Sequence, residues 1–138
     1  MFNRLASATA TVCFLLTLGL AATRTATAAD GTSTQTAKSL KHVVLFKFKD
    51  GTSAQQVEEV VSAFKALKGK IDEIVDFEYG TDVSVENRSQ GFTHCFLATF
   101  RDAKGRDTYL NHPAHTAFGG LVGPRLDKVL VVDFWTEK

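Results

Sequence analysis

A tyrosine and two histidines suited to acid–base chemistry lie within one short stretch of the chain, at Tyr109, His112 and His115. An imidazole with an unperturbed pKa of about 6.5 exchanges protons readily near neutrality. A phenol can polarise a carbonyl group by donating a hydrogen bond, or act as a base if its pKa is lowered. The same residues also have a purely structural interpretation, in which the tyrosine packs its ring and the histidines hydrogen-bond exposed backbone.

Pro113 determines how these side chains are presented. Proline cannot continue a helix, because it lacks an N–H and its ring clashes with the preceding turn, but it fits the first position of a new helix. The sequence therefore predicts a helix over Asp102–Asn111, a cap residue at His112 and a second short helix over Pro113–Phe118. Such a corner can aim the phenol and the second imidazole at one point.

Two further histidines, His42 and His94, alternate with phenylalanines along predicted strands. Each could be a core residue with a hydrogen-bond partner, because buried polar groups are normally paired. If helices cover these strand faces, all four histidines and Tyr109 can surround one cleft with aromatic walls, which would suit a flat apolar ligand. We predict Tyr109 and His115 as catalytic candidates. The predicted binding residues are His42, Phe46, Phe64, His94, Phe96 and His112.

Alternating apolar residues predict four strands, with helices between the first two and the last two. An amphipathic helix begins at Thr52 or Ser53 and is expected to end at a left-handed Gly69. The predicted strands span Lys41–Phe48, Ile74–Val85, Phe92–Phe100 and Val129–Trp135, and Gly119–Gly120 is expected in a loop. The order β-α-β-β-α-β is that of the ferredoxin-like α+β fold, an antiparallel sheet with helices on one face.

The first and last predicted strands are apolar on both faces, although helices can cover one face of the sheet. The other face would be a large exposed apolar patch. A homodimer in which two sheets pack face to face and approach a closed α/β barrel would bury it. Cys95 falls within a strand and is expected to be a buried, inert thiol.

The first 29 residues have the pattern of a secretory signal peptide. A mostly apolar run over Val12–Ala22 precedes the small residues Ala26-Thr27-Ala28. The run is too short for a membrane span, so the mature form is expected to be secreted or periplasmic and free of the membrane. Residues 30–39 read as a flexible leader, and residues 40–136 as a single domain.

Several partners and cofactors are not predicted. Removing Arg4 and Arg24 with the signal leaves 14 basic against 15 acidic residues, so the near-neutral mature chain argues against nucleic acid. His112 and His115 are three residues apart, but Pro113 disrupts the helical geometry and no carboxylate lies at ligand spacing on the same side, so no catalytic metal held by side chains is expected. No phosphate-binding glycine loop occurs, and we predict no cofactor.

Three separated motifs carry a resemblance to a known family. Lys41–Lys49 opens the domain, Gly91–His94 opens the third strand, and Tyr109–His115 closes the second helix. In this order they resemble the stress-responsive α/β-barrel (Dabb) family, over about Leu40–Trp135. The resemblance implies a ferredoxin-like domain that dimerises into a barrel.

The resemblance implies a less definite function. Many members have no established activity, and plant members are linked to stress responses. One plant branch contains polyketide cyclases, in which a tyrosine and a histidine matching Tyr109 and His115 act as the acid–base pair of an intramolecular aldol condensation. Histidines matching His42 and His94 line the same pocket. A tyrosine of that branch is replaced here by Phe64.

Three functions follow as hypotheses. The first is a binding protein for a small hydrophobic or aromatic molecule. The second is a cofactor-independent lyase or cyclase, with His115 as general base and Tyr109 as the donor that polarises a carbonyl. The third is a monooxygenase of the related dimeric-barrel type, acting on an activated aromatic or on haem.

Overall fold

The structure, a computed structural model, describes residues 38–137. The predicted signal peptide over residues 1–29 and the predicted leader up to residue 37 lie outside the described residues.

Four strands and three α-helices form the domain, with two short 3₁₀ turns. In chain order they are β1 (Leu40–Phe48), α1 (Ala54–Lys65), a 3₁₀ turn (Ala66–Gly69), β2 (Asp76–Thr81), β3 (His94–Phe100), α2 (Ala103–Asn111), α3 (Pro113–Val122), a second 3₁₀ turn (Gly123–Arg125) and β4 (Leu126–Trp135). The sheet order is β2-β3-β1-β4, and every neighbouring pair is antiparallel. The predicted ferredoxin-like α+β fold is confirmed.

Local side-chain caps set the helix starts. Ser53 and Gln56 form a reciprocal capping box at α1, in which each side chain accepts the backbone N–H of the other. Asp102 Oδ1 accepts the Gly105 N–H at 2.8 Å and starts α2. His112 has an extended backbone between α2 and α3, so the predicted corner at Pro113 is confirmed.

Two expectations about glycine were wrong. Gly69 does not have a positive φ, and α1 instead tightens into a 3₁₀ turn. Gly119 and Gly120, expected in a loop, lie inside α3. The helix continues through them because Phe118 and Val122, one turn apart, both pack into the core, and packing outweighs the low helix propensity of glycine.

The second and third strands are shorter than predicted. β2 ends at Thr81 and β3 begins at His94. Between them, Asn87 and Gln90 adopt positive φ angles of 55° and 54°, which a strand does not allow. The last strand is longer than predicted, because β4 begins at Leu126 and pairs from there with β1.

The core lies between the helices and one face of the sheet, and its centre is a group of phenylalanines. Phe64 of α1 lies 4.6 Å from Phe96 of β3 and 4.5 Å from Phe118 of α3, measured between ring centroids. Phe46 of β1 lies 5.1 Å from Phe96. All four rings are buried, so this cluster fixes the helices against the sheet.

The opposite face of the sheet, here called the outer face, has no helix over it in residues 38–137. Strand alternation and register place its central residues in two neighbouring rows. These residues are Val43, Leu45, Cys95, Leu97, Leu130 and Val132.

The outer face is apolar and accessible within the chain. Leu130 and Val132 are 45% and 48% exposed. Cys95, expected to be buried, is also exposed, because alternation in β3 turns Phe96 toward the helices and Cys95 away from them. The prediction that these strands are apolar on both faces is confirmed. The prediction that the Cys95 thiol is buried is wrong for the single chain.

Candidate functional site

A cleft of about 410 Å³ opens between β1 and β4 on one side and the α2–α3 corner on the other. Its long walls are apolar, and its polar groups gather at one end. The polar end consists of His42, Tyr109, His115 and Asp133. The remaining lining is formed by Val44, Phe46, Phe64, Leu110, Phe118, Gly119, Val122, Gly123, Leu126, Val129 and Val131.

The corner brings Tyr109 and His115 into contact, with ring centroids 4.4 Å apart. His115 Nδ1 lies 3.1 Å from the carbonyl oxygen of Leu110. Because a carbonyl can only accept, Nδ1–H is the donor, and Nε2 of the neutral ring keeps its lone pair. Tyr109 is 1% exposed and still contributes to the cleft wall.

Burial keeps both of these groups uncharged. It raises the pKa of Tyr109 well above its usual range, and the nearby Asp133 charge adds to the effect. Burial also lowers the pKa of His115, although the hydrogen bond to Leu110 opposes this. At neutral pH the pair is therefore a phenol donor beside an imidazole acceptor, which argues against a phenolate base at Tyr109.

His42 is also held at the polar end of the cleft. Its Nδ1 lies 2.6 Å from Asp133 Oδ1, and its ring lies 5.6 Å from that of Tyr109. Burial alone would raise the pKa of Asp133, but hydrogen bonds from Arg106 and His42 lower it overall. The carboxylate is ionised at neutral pH and can only accept, so His42 Nδ1–H donates to it.

Sequence reasoning missed Asp133 and Arg106. Asp133 lies directly opposite His42 in the β1–β4 register, and Arg106 Nη1 donates to Asp133 Oδ2 at 2.6 Å. A signal was available, because Asp133 is a single charge within the apolar run Val129–Trp135. Arg106 precedes Tyr109 by three residues, which puts the two on neighbouring positions of one helix face.

His94 does not reach this cleft, contrary to the prediction. It pairs with Phe46 in the sheet, whereas His42 pairs with Ala98, so the two histidines lie about four strand residues apart, or roughly 13 Å. His94 Nδ1 is hydrogen-bonded to Thr93 Oγ1 at 2.9 Å, and partial burial lowers its pKa.

Two other predicted binding residues also lie outside the cleft lining. Phe96 is fully buried behind Phe46 and Phe64 and belongs to the core. His112 Nδ1 accepts the Ala114 N–H at 3.1 Å and caps α3, which is the structural interpretation of this residue. The structure therefore brings together His42, Phe46, Phe64, Tyr109 and His115.

Within residues 38–137, no three His, Cys, Asp or Glu side chains are grouped so that they could hold a metal ion. In the same part of the chain, no helix has the length and apolar character needed to cross a membrane.

The fold and cleft define a ferredoxin-like protein with a histidine- and tyrosine-lined pocket. The family model of the stress responsive A/B barrel domain (Dabb) matches residues 40–136. The chain therefore belongs to the stress responsive A/B barrel (Dabb) family.

Individual relatives agree with this assignment. The stress-response A/B barrel domain-containing protein HS1 of Arabidopsis thaliana is 42% identical over 95 residues, which cover 69% of this chain and 87% of that protein. Olivetolic acid cyclase of Cannabis sativa is 32% identical over 99 residues, covering 72% and 98%. A dimeric ferredoxin-like protein of unknown function from Thermobifida fusca is similar in structure, with a TM-score of 0.64, 25% identity and coverage of 72% and 92%.

Proposed function

We propose that the protein binds a small, uncharged aromatic molecule that carries a hydroxyl or carbonyl group. The observation that supports this is the cleft, which joins apolar walls to one phenol donor and two imidazoles. Phe46, Phe64 and Phe118 give it flat aromatic surfaces. Apolar pockets with a few convergent polar groups are the usual form of small-molecule sites.

The charges around the cleft favour a neutral ligand over an anionic one. Asp133 places a carboxylate at the polar end. Arg106 is already paired with Asp107 and Asp133, and the cleft walls formed by residues 38–137 contain no lysine or arginine. A ligand carboxylate would thus lose its hydration without gaining a cationic partner.

A matched pair of probes tests this proposal. We expect 4-hydroxyacetophenone to bind and to shift the NMR signals of Tyr109, His115 and Val131. We expect 4-hydroxybenzoate, which has the same ring with a carboxylate, to bind at least about tenfold more weakly. Equal affinity for the two probes, or signal changes confined to the outer face, would contradict the proposal.

We also propose that the protein is a homodimer that packs through the outer face. The support is the exposed apolar surface around Leu130 and Val132, together with the related protein described as dimeric. Leu130→Lys should shift the sedimentation coefficient toward that of a monomer, because it places a charge in an apolar interface. Thr116→Lys, on an exposed position of α3, is the matched control and should sediment like the wild type.

Export is a further part of the proposal, and it rests on the N-terminal sequence pattern. If it is correct, protein recovered outside the cytoplasm after expression of the full chain should begin at Ala29 or Asp30 by mass spectrometry. An intact N-terminus starting at Met1 would contradict it.

A second candidate function is an aldol-type cyclase or lyase without a cofactor. The observation that favours it is the contact between the Tyr109 and His115 rings, because the phenol is a donor and the Nε2 of His115 is unprotonated. A relative, olivetolic acid cyclase, also has a name that denotes ring closure. His115 would remove a proton beside a carbonyl that Tyr109 polarises.

The diketone 2,6-heptanedione tests this candidate, because its intramolecular aldol closure and dehydration give an enone with strong ultraviolet absorbance. The wild type should accelerate closure, and Tyr109→Phe and His115→Gln should each lose about 10²-fold or more in rate. Equal rates for the wild type and both variants would leave the cleft as a binding site.

A further inference from the structure

Arg106 connects two elements that are far apart in the chain. It lies on α2, and its Nη1 donates to Asp133 Oδ2 on β4 at 2.6 Å. The other side of the guanidinium donates to Asp107 Oδ1, through Nε at 3.0 Å and Nη2 at 2.9 Å. With a carboxylate accepting on each side of it, the guanidinium is held in one orientation.

Asp133 is held from two sides. Oδ2 accepts from Arg106, whereas Oδ1 accepts from His42 Nδ1. The last dihedral of an aspartate side chain is broad and weakly restricted, so a single hydrogen bond would leave the carboxylate able to turn. Asp133 also lies on the edge strand of the sheet, where neighbouring residues such as Val131 are about half exposed. Little packing is available there to replace Arg106.

We propose that Arg106 is a positioning residue for the cleft: through Asp133 it holds His42 in the tautomer with Nδ1 protonated and Nε2 free to accept a hydrogen bond. Arg106 does not itself line the cleft. In its effect on ligand binding, this inference depends on the proposed function. In its effect on the His42 tautomer, it does not.

Loss of the guanidinium has a specific consequence. The Asp133 carboxylate becomes free to rotate, and His42 samples both neutral tautomers instead of one. Part of the population then presents Nε2–H, a donor, to a ligand hydroxyl that needs an acceptor. Affinity for 4-hydroxyacetophenone should fall about three- to tenfold.

Nitrogen-15 NMR of the histidine side chains, at a pH where the imidazoles are neutral, tests the proposal without any ligand. We expect His42 to be in the Nδ1–H tautomer in the wild type and a mixture in Arg106→Met. Arg106→Lys should restore part of the preference, because lysine retains the charge but not the planar pair of donors. His115 is an internal reference, because its own tautomer is held by the Leu110 carbonyl.

Arg101→Met is the matched control, since it removes the same side chain from an exposed position near the start of α2. It should leave His42 unchanged. Arg106→Gln repeats the test with a smaller change if Arg106→Met does not fold.

A His42 that stays in the Nδ1–H tautomer in the variant that folds, whether Arg106→Met or Arg106→Gln, would overturn the inference. Failure of the proposed function looks different, because the wild type would not bind 4-hydroxyacetophenone even though its His42 tautomer changed in the Arg106 variants.

Discussion

At one end of the helix-covered sheet face, His42 is buried and paired with Asp133; at the other end, His94 is half-buried and bonded to its neighbour Thr93. Both histidines alternate with phenylalanines in their strands, so the local patterns are alike. His42 belongs to the cleft with Tyr109, whereas His94 packs edge-on against Phe48, 5.2 Å away between ring centroids.

The difference shows what makes a strand histidine part of a site. His42 is on β1, which lies between β3 and β4 in the sheet, and β4 supplies the Asp133 carboxylate directly opposite it. His94 lies where β3 begins, next to the turn that follows β2, and its hydrogen bond comes from an adjacent hydroxyl. The partner on the neighbouring element, more than the histidine's own strand, decides the role.

The largest expected effect concerns the partner of each histidine. Asp133→Ala leaves the buried Nδ1–H of His42 without an acceptor and should lower the free energy of unfolding by about 1–3 kcal/mol, measured by urea denaturation. Thr93→Val removes the corresponding partner of His94 and should cost less than about 0.5 kcal/mol, because Thr93 is exposed. Similar losses in the two variants would show that the two ends are energetically equivalent.

A smaller difference between the His42 end and the His94 end of the sheet face is expected in ligand affinity. Tyr109→Phe removes the one phenol donor at the polar end of the cleft and should weaken binding of 4-hydroxyacetophenone about tenfold by calorimetry. His94→Asn changes the other end and should leave the affinity unchanged. A loss of affinity in His94→Asn would mean that the ligand site extends beyond the cleft described above.

The smallest effect is a difference in proton binding. Burial lowers the pKa of both His115 and His94 below about 6.5. In each case the folded state resists protonation, so this stabilisation is present above about pH 6.5 and is lost as the pH falls toward the lowered folded pKa. In an NMR titration, Tyr109→Phe should move the His115 pKa and leave that of His94 in place. A change in both pKa values, or in neither, would contradict a specific interaction between Tyr109 and His115 at the α2–α3 corner.

Local signals in the sequence were sufficient for the order of elements and for one contact of the site. Alternation predicted the four strands, and Pro113 predicted the corner. Asp102 predicted the start of α2, whereas the start of α1 was predicted only as Thr52 or Ser53. Because the corner spans few residues, its geometry is set by backbone chemistry, and the meeting of Tyr109 with His115 could be predicted.

The tertiary structure alone decided which other residues join that pair. His42 and Asp133 are 91 positions apart, and their contact depends on the register of β1 with β4. A shift of that register by one residue would turn Asp133 to the outer face. The position of His94 outside the cleft has the same origin. Alternation predicts which face of the sheet a side chain occupies, but not where along that face it lies relative to the helices.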